Sequence, residues 1–170
     1  MIKYLVLCAI SMTNTSLEGT MKLTSPAFAH NGTIPKQYTC DDGANISPAL
    51  QWTGTPENTK SFALIVDDPD APAKIWVHWI VFNIPATMNN LAENVSSGSF
   101  LQGATDFNGK QQYGGPCPPS GTHHYHFTLY ALDTLLDLPA GASKEKLIAA
   151  MNGHILEQTT LIGLYERKKE

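Results

Sequence analysis

Charge is scarce in this chain. Asp, Glu, Lys and Arg make up 15% of the 170 residues, and 11 cations against 15 anions leave a net charge of −4. With no basic stripe to neutralise phosphates, no nucleic-acid partner is expected. The "ERKK" cluster at 166–169 reads as a solvated tail. An anion bound here must be held by local donors, because no global field gathers it. Long apolar runs are also missing. The N-terminal stretch from Tyr4 to Ile10 falls well short of the ~20 residues that span a bilayer, so no integral membrane segment is expected. Repeats, low-complexity tracts and Pro/Gly linkers are absent too. An apolar content of 42% is enough for one domain with its own core.

Residues 1–20, "MIKYLVLCAISMTNTSLEGT", stand apart. One early lysine and a short apolar stretch suggest a leader, and with it a periplasmic or secreted protein, although no A-x-A-like cleavage site follows. The alternative is an upstream extension before a cytoplasmic start at Met21, where "MKLTSPAF" opens a single domain spanning 21–170. Cysteine is rare, with three in all. Removing a leader takes Cys8 away and leaves Cys40 and Cys117, an even pair that suits one disulfide in an oxidising compartment. Two free thiols are the other reading.

Most segments read as strands. "SFALIVD" (61–67), "IWVHWIVFNI" (75–84), "HHYHFTLYAL" (123–132) and "QTTLIGLY" (158–165) are short, apolar and β-rich, and "ALQWTG" (49–54) is an earlier strand ending in a turn. One stretch reads as helix: Ser143 can cap it, and Leu147, Met151, His154 and Ile155 share a face. Strands this apolar need both faces covered. The expected fold is all-β, a two-sheet β-sandwich with one or two short helices.

What the sequence does have is polar chemistry at strand mouths. "YGGPCPPSGTHHYHFTLYAL" (113–132) sets three of the six histidines behind a proline-glycine loop. Alternation puts His123 and Tyr125 on the face of Phe127 and Leu129, at the open end of an apolar row. His124 and His126 face the other way. In the preceding apolar run, parity puts His78 with Trp76, Ile80 and Phe82, either as a satisfied core histidine or as a pocket group. "DPDAP" (68–72) supplies Asp68 and Asp70 a few residues upstream, placed to accept from an imidazole N–H or to cap their own turn. In the loop, Pro116, Pro118 and Pro119 lack an N–H. The amides of Gly114, Gly115, Cys117, Ser120 and Gly121 are available to an acceptor, as in an anion-binding nest.

Three function classes compete on these residues. The first is a non-enzymatic site for an anion. The second is a metal site on the His124-x-His126 pair, for which no acids or cysteines at ligand spacing complete a shell. The third is a hydrolase using Ser120, His123 and Asp68, but no G-x-S-x-G elbow is present. The expectation is therefore no enzyme, no cofactor and no metal.

Beyond these, "DPDAP", "W-x-H-W" followed by "NIP", "GPCPPSGTHHY" and "IPKQYTCDDGANISPALQW" resemble the phosphatidylethanolamine-binding proteins, in their bacterial and archaeal Raf-kinase-inhibitor-like branch. The likeness runs from Lys22 to about Arg167. It implies antiparallel sheets with Greek-key connections and a small pocket for phosphate-like anions or phospholipid head groups. By position, the family's pocket residues fall on Asp68, His78, His123 and Tyr125, with Gly115 and Cys117 in the loop wall. Asp70, Trp76 and Pro118 stand behind them. If the sandwich brings the N-terminal turn beside the loop, a Cys40–Cys117 disulfide would stiffen that wall. His124 stands where many relatives carry Arg, and the chain ends before the C-terminal helix of the animal proteins. The resemblance also implies a second role, inhibition of a protease or kinase through protein contacts, and a homodimer.

Overall fold

The computed structural model describes residues 20–95, 98 and 100–167. The leader reading, with Cys8, falls outside them apart from residue 20. The described chain runs β1 (Lys22–Thr24), β2 (Gly32–Thr33), β3 (Leu50–Thr53), β4 (Ser61–Asp68), β5 (Trp76–Pro85), β6 (Asn90–Leu91), β7 (Leu101–Gln102), β8 (Thr122–Leu132), α1 (Lys144–Met151) and β9 (Ile155–Glu166), with a 3-10 turn at Lys36–Tyr38. Strands form where β-branched and aromatic residues run unbroken between turn formers. Left-handed backbone at Gly54, Asn58 and Gly121 marks such boundaries.

Two sheets result. The smaller has the order β1-β3-β6 and the larger β2-β9-β8-β4-β5-β7. The neighbours β4–β8 and β3–β6 are not consecutive in sequence, so the chain crosses over, as the Greek-key expectation required. The larger sheet is not wholly antiparallel: Gly32 and Thr33 pair with Gly163 and Leu164 in parallel. The chain reaches that edge from the other sheet instead of through a hairpin, so its direction is not forced to reverse.

The unbroken apolar runs are explained by burial on both sides of the larger sheet. Phe62, Leu64, Val66, Phe127 and Leu129 pack towards Leu23, Leu50, Trp52 and Leu91 of the smaller sheet. Ala63, Ile65, Ile80 and Phe82 pack the opposite way, against Leu136, Ala142, Leu147 and Met151. That second layer is where α1 lies. Ser143 caps it, its hydroxyl accepting from Lys146 N at 3.4 Å. The helix is shorter than its apolar spacing implied. It stops at Met151, Gly153 turns the chain at φ +81°, and Ile155 opens β9 with 43% of its surface exposed. His154 and Ile155 therefore leave the helical face that Leu147 and Met151 form.

Candidate functional site

The alternation along β8 holds. His123, Tyr125, Phe127 and Leu129 are all buried, while His124 is exposed and His126 half-buried. At the mouth of the row, His123 Nδ1 lies 2.7 Å from Asp68 Oδ2. A carboxylate only accepts, so Nδ1 carries the proton and Nε2 is the ring's remaining nitrogen. Asp68 Oδ1 meanwhile accepts from Asp70 N at 2.9 Å, closing the "DPD" turn. One carboxylate thus holds both the turn and the imidazole. Asp70 does more than cap a turn. Its Oδ2 accepts from His124 N at 2.8 Å and lies 2.7 Å from His124 Nδ1, fastening the turn to the start of β8. The bonds to His124 lower the Asp70 pKa below the usual carboxylate value.

His78 arrives in the site by a route that simple parity misses. Val66 pairs with Trp79 and Asp67 with Val77, so His78 is an extra residue bulged out of β5. Val77 and Ile80 both face the helix layer, leaving His78 and Trp79 together on the other side. His78 does not share the face of Ile80 and Phe82. Its Nδ1–H donates to Gly114 O at 2.6 Å, and its ring meets Tyr125 edge-on at 5.1 Å. Burial lowers its pKa, outweighing the Gly114 carbonyl and the Asp68 carboxylate that favour the charged form. The resting ring is neutral.

Asp68, Trp76, His78, Phe107, Cys117, Pro118 and His123 line one cleft of about 300 Å³, together with Ala71, Pro72 and Pro119. Tyr125 sits behind this lining, 1% exposed, and its ring stacks on His123 at 6.5 Å. Its hydroxyl is buried and makes no well-formed hydrogen bond, although Asp68 and the Cys117 backbone lie close enough to act on it. Burial, then the Asp68 charge, pushes its pKa up, so it stays a protonated donor.

The loop wall differs from the expected row of free amides. Gly114 N donates to His78 O at 2.9 Å, and Gly115 N to Asn45 Oδ1 at 2.6 Å. Gly115 is a packing residue: a Cβ there would stand 2.4 Å from Tyr38 O. Cys117 is disulfide-bonded to Cys40. Ser120 is exposed and outside the cleft lining. His126 belongs to the opposite face, so it and His124 do not join the cleft, and no group of three or more His, Cys, Asp or Glu suited to a metal occurs among the described residues.

Two residues escaped sequence reasoning. Phe107 packs edge-on against His78 and Trp76, at 5.3 and 5.7 Å. Its signal was the Asn108–Gly109 turn, both residues left-handed, which presents the ring beside the cleft. Asn45 gave no local signal, because its partner lies 70 residues away.

A two-sheet sandwich with a histidine-lined cleft at a strand mouth defines a binding-type fold. Residues 24–166 match the phosphatidylethanolamine-binding protein family, and the chain belongs to that family. It is 55% identical over 152 residues to a UPF0098 protein of Methanothermobacter thermautotrophicus, covering 86% of this chain and 99% of the relative. A UPF0098 protein of Chlamydia pneumoniae is 46% identical with the same coverage. Among solved structures, a phosphatidylethanolamine-binding protein homologue from Chlamydia trachomatis superposes with TM-score 0.82 at 42% identity, covering 88% of this chain and 99% of the other. Escherichia coli YbcL, described as a new member of the mammalian family, gives 0.82 at 33%, covering 88% and 100%.

Proposed function

We infer that the cleft binds, without catalysis, a phosphate-like monoanion or a phospholipid head group. The observation that carries this is the buried Tyr125 hydroxyl, with no well-formed hydrogen bond of its own, behind a cleft already lined by two fixed imidazoles. Such a donor costs free energy until something accepts from it. Neutral His78, its Nδ1–H engaged by Gly114, offers a lone pair at Nε2. It therefore suits a protonated phosphate oxygen, or takes up a proton and donates. Asp68 disfavours a dianion by like-charge repulsion and accepts from an ammonium or a P–OH. Ser120, outside the cleft, leaves no hydroxyl nucleophile paired with His123, which favours binding over hydrolysis. The Cys40–Cys117 bridge supports an exported location, which cell fractionation tests.

Either way, binding is linked to proton uptake, so affinity falls as pH rises, by up to about tenfold per unit for one proton. Titration calorimetry with phosphorylethanolamine and with inorganic phosphate checks this. We expect tighter binding at pH 5.5 than at pH 8, and at least a tenfold loss in Tyr125→Phe. Equal affinities at both pH values sink the mechanism.

A further inference from the structure

The wall of the cleft is fastened unevenly. Up to Pro116 it is held by hydrogen bonds to the segment beneath: Tyr113 Oη donates to Tyr38 O at 2.9 Å, Gly115 N to Asn45 Oδ1 at 2.6 Å, and Cys40 N to Pro116 O at 3.1 Å. β8 begins at Thr122. Among the described residues, no backbone–backbone hydrogen bond ties Cys117 to Gly121 down to that segment. Three of these five residues, Cys117, Pro118 and Pro119, line the cleft. What fixes this stretch covalently is the bridge from Cys117 to Cys40, with Cα atoms 5.5 Å apart. Gly121, at φ +71°, supplies a permissive backbone position on its far side. Cys117 is an exposed residue and Cys40 a half-buried one, so Cys117 is the more open of the two to an attacking thiolate.

We propose that the Cys40–Cys117 disulfide is a redox control on the cleft, closed and binding-competent when oxidised, loosened when reduced. This rests on the binding function inferred above. In the reduction, a dithiol thiolate attacks Cys117 Sγ, breaking the S–S bond and releasing Cys40 as thiolate. The second dithiol sulfur then displaces Cys117 and closes a cyclic disulfide. Two electrons pass from the dithiol to the protein, and its two protons end on Cys40 and Cys117. Once free, Cys117 no longer holds its backbone N–H beside the Tyr125 hydroxyl and Asp68. Pro118 and Pro119 lose the anchor that keeps them in the cleft wall with Trp76 and His123. The anchored half, Tyr113 to Pro116, keeps its bonds, so the change is confined to the outer wall.

The test compares full-length protein in the oxidised state, reduced with dithiothreitol, and reoxidised, each titrated with phosphorylethanolamine and followed by amide hydrogen exchange. We expect at least tenfold weaker binding on reduction, recovery on reoxidation, and faster exchange confined to Cys117, Ser120 and Gly121. The double variant Cys40→Ser/Cys117→Ser should match the reduced protein and ignore dithiothreitol. Equal affinity in both redox states overturns the proposal. If the oxidised protein binds no probe, the inferred binding function fails, while the exchange data still decide the redox response: unchanged exchange at 117–121 overturns it, and faster exchange upholds it.

Discussion

Asp68 uses its two oxygens for different purposes, one closing a turn and one orienting His123. Removing it strands a buried imidazole, whose side chain is only 8% exposed. Asp68→Ala should cost about 1–3 kcal/mol of stability, read from urea midpoints, and weaken phosphate binding as His123 loses its orientation. A variant as stable as the parent would show that the pair carries little. His78 gives a pH signature. Its folded pKa lies below the ordinary 6.5, so the unfolded chain takes up the proton first. Its contribution is therefore fully present above about pH 6.5 and declines as pH falls through and below that value. His78→Gln should flatten the stability profile between pH 7 and 5, measured by thermal melts. At this scale the sequence was informative for β8, where alternation alone separates His123 and Tyr125 from His124 and His126. It was misleading for His78, because a bulge is set by the register with β4 and leaves no mark in one strand's own pattern.

Among the elements, the central strands were legible and the helix end was not. Apolar runs such as "SFALIVD" identify strands covered on both faces, and the two core layers account for them. The apparent helical spacing of Leu147, Met151, His154 and Ile155 continued past the true end because Gly153 reverses the chain without disturbing the count. The short strands β2, β6 and β7, two residues each, had no readable pattern, since pairing with a distant edge defines them. α1 is held by what it buries more than by its own length. Leu147 is fully buried against the second face of the larger sheet. Leu147→Ala should therefore destabilise by about 2–5 kcal/mol, whereas Ser143→Ala, removing a long cap bond, should cost about 0.5–1 kcal/mol. Chemical denaturation of both variants compares them directly. If the cap mutation cost more than the core mutation, helix nucleation and not burial would be holding this layer in place.

The whole molecule depends on contacts between sequence-distant segments, and the cleft inherits that dependence. Its groups come from the "DPDAP" turn, β5, the 104–110 loop, the proline loop and the start of β8, assembled across the rim of the sandwich. Sequence reasoning reached most of this set and, through Cys40, the bridge behind the proline loop, but it missed the hydrogen bonds that back the loop. Asn45 and Tyr38 accept these from the same segment as Cys40, whose composition around Asp41, Asp42 and Gly43 reads only as a turn. Of the charged tail only Glu166 and Arg167 are described, and Arg167, its side chain still 48% exposed, reaches back to Asp41 at 2.9 Å, next to Cys40. Closing a loop with a sequence separation of 77 removes disorder from the unfolded chain worth about 4–5 kcal/mol by the loop-entropy estimate, and engineered bridges often deliver less. Cys40→Ser/Cys117→Ser should accordingly lower the melting temperature by several degrees while far-ultraviolet circular dichroism keeps its β signature, because neither cysteine belongs to a core cluster and the strands pair through their own ladders. An unchanged melting temperature would mean that the segment beneath the loop already restricts the unfolded chain. Loss of the β signature would mean instead that the proline wall helps assemble the two sheets, and the sandwich could no longer be treated as a scaffold independent of its cleft.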